Sequence, residues 1–203
     1  TSNYHLHYTD WGIKEEKYGY GSYHSNTPEI TFEFDGDFSC VYDRDGNSYD
    51  GSYLKNHFRE GSLLWNNAQF YDGQSRIKPF KVTEQSNALV KIRAYYNNNE
   101  SIAGYVDNPN STTDPKNHYT YTIIWLNIYW LGEDNFEKNK ITSAHELGHI
   151  FGLVDLDKYN FMNSLPSQFK NVLMGYARND DVTGPTDADI KGAAVITGIH
   201  NNE

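Results

Sequence analysis

The segment 142–155 constrains this chain more than any other, because it holds two histidines four residues apart, His145 and His149. On an α-helix that spacing brings both side chains to one face. Two neutral imidazoles on one face can bind a single Zn²⁺ ion. The alternative is a surface helix on which two histidines are four residues apart by chance. Glu146 follows the first histidine, where its carboxylate suits a general base acting on water at the metal. The segment therefore predicts a zinc site.

The residues after His149 extend the pattern. Gly152 can adopt a positive φ and end the helix in a sharp turn, and Asp155 follows where a carboxylate can return to the metal. The resulting pattern, H-E-x-x-H-x-x-G-x-x-D, resembles the extended signature of the metzincin metalloproteases. Most metzincins have a third histidine where this chain has Asp155, but the snapalysins, which are small secreted bacterial proteases, have aspartate. The resemblance implies that His145, His149 and Asp155 bind one catalytic zinc ion.

Length and charge narrow the class of protein. The 203 residues suffice for one sizeable domain with a full core. The net charge of −10 argues against nucleic acid or an anionic membrane surface as a partner.

A single cysteine, Cys40, excludes an intrachain disulfide, and no apolar run is long enough to span a membrane. No signal peptide opens the sequence, so we expect a mature secreted form, with a cytoplasmic protein as the alternative.

Apolar periodicity predicts an α+β fold with a single domain over 29–203. Residues 1–28 are rich in Tyr, His and Gly, and we expect them to form an irregular N-terminal arm. Strict alternation predicts strands, and apolar residues three or four apart predict helices. Strands are expected over 30–34, 88–96 and 101–106, with a long strand or strand pair over 119–131; helices are expected over 52–68, about 139–151, and 185 to about 197.

This order of elements resembles the catalytic domain of the matrixins over about residues 28–199. The resemblance implies an α/β metzincin-like fold: a twisted mixed β-sheet of about five strands, an active-site helix, a Met-turn and a C-terminal helix. It also implies that Ile102, Ala103 and Gly104 lie on the edge strand that pairs with the substrate.

Two further residues take their predicted roles from this resemblance. Met174 is similar to the methionine of the Met-turn, which lies beneath the zinc. In astacins and serralysins a tyrosine two residues further on, the position of Tyr176, lies near the zinc and can stabilise the transition state. For both residues the alternative is an ordinary place in the core.

Calcium is not supported by the sequence. Residues 96–101 are too short for the long loop in which matrixins carry structural zinc and calcium. Asp43 to Asn47 looks like the start of a calcium loop, but Leu54 stands where the closing glutamate would be needed. A plain turn is the better interpretation.

The resemblance implies a zinc-dependent endopeptidase that acts as a monomer on protein or peptide substrates. The substrate would add a strand along the edge near Ala103, while Glu146 would move the proton from water to the leaving amine. One alternative is a catalytically inactive binding module with a structural metal, against which the intact Glu146 argues. Another is an intracellular peptidase of restricted substrate.

Overall fold

A computed structural model describes most of the chain: residues 28–38, 41–42, 44–72, 75–107, 122–132, 136–153, 155, 171–175 and 181–197. Nearly all of the predicted N-terminal arm, together with Cys40, Asp43 and Tyr176, lies outside the described residues. The division into an arm and a domain therefore stays a prediction.

The described residues form a mixed α+β fold. The strands are β1 (Glu29–Phe34), β2 (Val41–Tyr42), β3 (Ser48–Tyr49), β4 (Phe70–Asp72), β5 (Ser75–Ile77), β6 (Lys81–Glu84), β7 (Val90–Tyr95), β8 (Gly104–Asp107) and β9 (Thr122–Asn127). The helices are α1 (Gly51–Asn66), α2 (Ile128–Leu131), α3 (Phe136–Ile150) and α4 (Asp187–Ile196).

The main sheet has five strands in the order β6-β1-β7-β9-β8. The first four are parallel to their neighbours, and β8 is antiparallel to β9 at one edge. The other strands form two two-stranded sheets, β2 with β3 and β4 with β5. A mixed sheet of five strands was expected, and it is present.

Alternation along the strands explains their burial. Ile30 and Phe32 of β1 are buried, as are Val90 and Ile92 of β7, while the residues between them are partly exposed. Helix α1 begins after Asp50, whose side chain accepts a hydrogen bond of 2.9 Å from the Ser52 N–H. An aspartate at that position satisfies a backbone donor that the helix itself leaves unpaired.

Helices α1 and α3 pack against each other and against the sheet, with α1 next to β6 and α3 next to β8. The fully buried Trp65 of α1 donates its indole N–H to the carbonyl of Ala144 in α3, at 2.9 Å. This bond joins the two helices one residue before His145. None of the helices described is long and apolar enough to cross a membrane.

The prediction for residues 119–131 is wrong in part, because the described chain is a strand only over Thr122–Asn127 and then becomes helix α2. The cause is Asn127, whose side-chain oxygen accepts a hydrogen bond of 3.2 Å from the Tyr129 N–H. That bond caps the first turn of a helix and favours it over continued strand. The edge strand is also shorter than expected, since β8 begins at Gly104 and leaves Ile102 and Ala103 outside it.

Candidate metal centre

Helix α3 brings His145 and His149 together on one face, as their spacing predicts. Their ring centroids are 4.8 Å apart and their planes are nearly perpendicular, at 87°. Ala144 and Leu147 of the same helix are fully buried. The buried face fixes the helix against the core, so the two imidazoles have little freedom to separate.

Helix α3 ends in a turn that sends the chain back toward the histidines. Gly152 has a φ of +102°, which a residue with a Cβ rarely adopts. Its N–H donates to the His149 carbonyl, and the Leu153 N–H donates to the Gly148 carbonyl, each at 3.0 Å. These two bonds define a Schellman motif, in which the chain reverses direction after the helix. The reversal places Asp155 beside the imidazoles.

Asp155 contacts both histidines through one oxygen. Its Oδ1 lies 2.8 Å from the Nε2 of His145 and 3.2 Å from the Nε2 of His149. Burial alone would raise the pKa of Asp155, but the two imidazoles hold that pKa far below its usual range. Burial likewise lowers the pKa of His149, yet the Asp155 carboxylate outweighs it and raises that pKa to about 9. The three groups together therefore favour a positive charge between them.

Backbone carbonyls fix the orientation of both rings. The Nδ1 of His145 is 2.8 Å from the Leu173 carbonyl, and the Nδ1 of His149 is 2.9 Å from the Leu153 carbonyl. Because a carbonyl oxygen can only accept, each Nδ1 carries a proton and donates it. A ring in its neutral form would then direct the lone pair of its Nε2 toward Asp155. This arrangement of acceptors needs a cation, which can be a proton or a metal ion.

The donor set fits zinc. Two imidazole nitrogens and one carboxylate oxygen are ligands that Zn²⁺ takes in catalytic sites, with a fourth position left open. Tetrahedral bonds of about 2.0–2.1 Å put neighbouring ligand atoms about 3.3 Å apart. The 3.2 Å between His149 and Asp155 matches this, and the 2.8 Å between His145 and Asp155 needs only a small opening. Carbonyl partners on the second ring nitrogens are typical of histidines that bind metals.

Glu146 lies at the same site. It is 5% exposed, and ligand atoms of His145, Glu146 and His149 all lie within 4.8 Å of one another. Its carboxylate also faces the edge strand, because a Cβ added to Gly104 would lie 3.4 Å from Glu146 Oε1. The Glu146 carboxylate therefore lies between helix α3 and the edge of the sheet, next to His145 and His149.

Met174 lies beneath helix α3 and is fully buried. A Cβ added to Gly148 would come within 2.2 Å of the Met174 Sδ, so the thioether occupies the space that a side chain at position 148 would fill. Met174 thus supports the helical turn between the two histidines. Tyr176, which is predicted to approach the metal, lies outside the described residues.

The sequence did not reveal the part played by Asp189, an acidic residue in the first turn of α4. Its buried carboxylate accepts hydrogen bonds from the Leu173 N–H at 2.9 Å and the Met174 N–H at 3.2 Å. It also accepts from the N–H and hydroxyl of Thr186, each at 2.8 Å. Burial raises the pKa of Asp189, although these hydrogen bonds oppose the rise. Only the Thr186-x-x-Asp189 spacing of a capping box hints at this site.

The three residues predicted to bind substrate differ in their backbone contacts. Gly104 opens β8, opposite Leu126. The Ala103 carbonyl accepts from the Asn127 backbone N–H at 2.9 Å, and the Ile102 carbonyl accepts from the Asn127 side chain at 3.1 Å. Gly104 lies close to Glu146, since a Cβ added to it would be 3.4 Å from Glu146 Oε1.

Comparisons with known proteins give a likeness in fold. No protein-family model matches the chain, and no curated protein matches it. A chain of the solved structure titled "GM1 bound form of the ECX AB5 holotoxin" is similar, with a TM-score of 0.51 and 15% sequence identity. The similarity covers 88% of this chain and 87% of that chain, so the two are close in length. At this identity the likeness concerns the fold alone.

Proposed function

We propose that this protein is a zinc-dependent endopeptidase of the metzincin type. The observation that carries the proposal is the convergence of His145 Nε2 and His149 Nε2 on Asp155 Oδ1, at 2.8 and 3.2 Å. Both rings are held by carbonyls on their far sides, and Glu146 lies beside them. A zinc ion held by these residues would supply the Lewis-acid chemistry that peptide hydrolysis needs near neutral pH.

The residues of the chain divide the work between them. His145, His149 and Asp155 would hold the metal. Glu146 would accept the proton of the attacking water and deliver it to the leaving amine, which is the role of a general base that then acts as an acid. A peptide would lie extended along β8, whose first residue, Gly104, borders Glu146. Tyr176 would stabilise the oxyanion.

A non-catalytic module with a structural metal is the second candidate. The sequence suggested that a structural site would not need Glu146, but ligand atoms of Glu146 and of both histidines lie within 4.8 Å of one another. In a structural site Glu146 would therefore be the fourth protein ligand, which closes the set. The two candidates differ in what Glu146→Gln does. A general base can be replaced without loss of metal, whereas a fourth ligand cannot.

Metal content and cleavage of casein, each measured with and without a zinc chelator, test the proposal. We expect one zinc per chain, cleavage that the chelator abolishes, and a Glu146→Gln variant that keeps its zinc and loses nearly all hydrolysis. Glu137→Gln is the matched control, since Glu137 lies on the same helix with its side chain 78% exposed. Zinc-loaded protein that cleaves no casein, or a Glu146→Gln variant that cleaves it at the original rate, would contradict the mechanism.

We also propose that the enzyme acts outside the cell as a monomer, a setting that the resemblance to the secreted snapalysins supports. Fractionation of a culture of the source cells and size-exclusion chromatography test this. An enzyme retained inside the cells would favour the intracellular peptidase.

A further inference from the structure

We propose that Asn127 determines where the peptide-pairing edge begins, that is, the free edge of β8 along which a substrate would add a strand. The Asn127 side chain donates a hydrogen bond to the backbone carbonyl of Ile102, which would otherwise face the substrate. The inference rests on the proposed function, since it concerns the substrate of that site. It makes Asn127 a positioning residue that does not itself touch the reacting atoms.

The side-chain amide of Asn127 is buried and has all its hydrogen bonds. Its oxygen accepts from the Asn97 N–H at 3.0 Å and from the Tyr129 N–H at 3.2 Å. Its nitrogen donates to the Asn97 carbonyl at 2.9 Å and to the Ile102 carbonyl at 3.1 Å. A primary amide offers two donors and two acceptor positions, so no capacity remains. A buried network that is fully satisfied holds one geometry, and here it joins the 97–102 loop to the end of β9.

Strand alternation shows which backbone groups face outward. The Ala103 carbonyl bonds to the Asn127 N–H of β9, so residue 103 faces the sheet. In an antiparallel pair the N–H and C=O of successive residues point to alternate sides. Gly104 and Val106 therefore present their backbone groups to the free side of β8, which among the described residues pairs only with β9. Ile102 would be next in this series, but its carbonyl is bonded to Asn127.

Over the described part of this edge, residues 102–107, two residues face outward, Gly104 and Val106. Gly104 borders Glu146, so the substrate residue opposite Gly104 is the one nearest the scissile bond. The residue opposite Val106 lies two positions away on one side. On the other side, the Ile102 carbonyl is directed toward the Asn127 side chain of β9, at 3.1 Å, and so away from the N–H of a substrate residue opposite it. A residue that lacks an N–H, such as proline, is therefore tolerated there.

An N-methyl scan of one peptide tests this directly. The probe is a casein peptide that the wild-type enzyme cleaves, with one backbone N–H methylated at a time. We expect methylation opposite Gly104 or Val106 to lower kcat/KM by about 10-fold, the effect of one lost hydrogen bond. Methylation opposite Ile102 should change kcat/KM less than about 2-fold, because no hydrogen bond of the substrate is lost at that position. A 10-fold loss at that third position would overturn the inference.

Variants of Asn127 test its part in the pattern. Asn127→Asp can keep both acceptor bonds but loses both donor bonds, to the Asn97 and Ile102 carbonyls. With the Ile102 carbonyl released, methylation opposite Ile102 should now lower kcat/KM by about 3- to 10-fold. Asn99→Asp is the matched control, because Asn99 is an exposed asparagine of the same loop. It should keep the wild-type pattern. An Asn127→Asp enzyme that cleaves the peptide with the wild-type pattern would overturn the role of Asn127.

The outcomes separate this inference from the proposed function. If the enzyme cleaves the peptide and methylation lowers kcat/KM at all three positions, the proposed peptidase activity is supported and the inference about Asn127 is wrong. If the zinc-loaded protein cleaves no casein peptide, both the proposed peptidase activity and the inference about Asn127 are wrong. If Asn127→Asp fails to fold, the scan of the wild-type enzyme still decides whether Ile102 takes part in pairing.

Discussion

The thioether of Met174 fills the space that a side chain at Gly148 would need, since a Cβ at position 148 would lie 2.2 Å from the Met174 Sδ. Position 148 lies on helix α3 between the two candidate histidine ligands. The missing side chain allows the 171–175 turn to pack directly beneath the helix. The Leu173 carbonyl of that turn is the partner of His145 Nδ1, at 2.8 Å.

Substitution of Gly148 tests this packing. Gly148→Ala should lower the free energy of unfolding by about 1–3 kcal/mol, because a methyl group would be forced against a thioether in a full core. Met174→Leu conserves volume and should cost under about 1.5 kcal/mol, with most activity retained. Urea unfolding measures both. Gly184→Ala is the control, since a Cβ there would meet no atom closer than 3.7 Å. Equal effects of the two glycine substitutions would show that the contact has no energetic importance.

Substitution of Asp155 tests the third ligand. Asp155→Asn removes the negative charge at nearly constant shape, and we expect zinc affinity to fall by more than about 100-fold, beyond the effect of losing an outer partner. Asp155→His keeps a ligand atom and should retain zinc better than Asp155→Asn. Competition with a chromogenic chelator measures the affinities. An Asp155→Asn protein that binds zinc as tightly as the wild type would show that the ligand lies elsewhere.

Asp189 orients the candidate ligand His145 without touching it. The Asp189 carboxylate accepts from the backbone N–H groups of Leu173 and Met174, and the Leu173 carbonyl is the partner of His145 Nδ1. Asp189→Asn places an amide against backbone donors and should cost about 1–3 kcal/mol of stability. Zinc affinity should fall by about 10- to 100-fold as the His145 ring loses its fixed partner. Asp187→Asn makes the same change at an exposed position in the same helical turn and should do neither. A loss of stability with zinc affinity unchanged would limit Asp189 to a structural role.

Gly104 keeps the edge strand close to the general base. A Cβ at position 104 would lie 3.0 Å from the Trp125 carbonyl oxygen and 3.4 Å from Glu146 Oε1. The contact with the Trp125 carbonyl oxygen is the tight one, so Gly104→Ala should shift β8 relative to β9 and to Glu146. We expect kcat/KM to fall by about 10- to 100-fold, as it does when the groups around a reacting bond are slightly misplaced. Zinc content should stay at one per chain, as atomic absorption would show. Full activity in Gly104→Ala would mean that the strand or the carboxylate moves freely.

The sequence alone determined the elements whose signals are local. The two histidines of α3, the glycine that ends it and Asp155 lie within eleven residues, His145 to Asp155, so helical spacing and one positive φ suffice to place them together. Alternation likewise located β1 and β7, because burial of one face leaves a period of two.

Only the tertiary structure decided what supports the site from afar. Asp189 reaches Leu173 across sixteen residues, and Asn127 reaches Asn97 across thirty. A polar residue at a helix start or a strand end has the same local appearance whether its side chain caps a turn or bonds to a distant loop. Which of these it does depends on the packing that brings the distant backbone within hydrogen-bond reach. The position of β8 relative to Glu146 was decided in the same way, since no local pattern sets the distance between a strand edge and a helix.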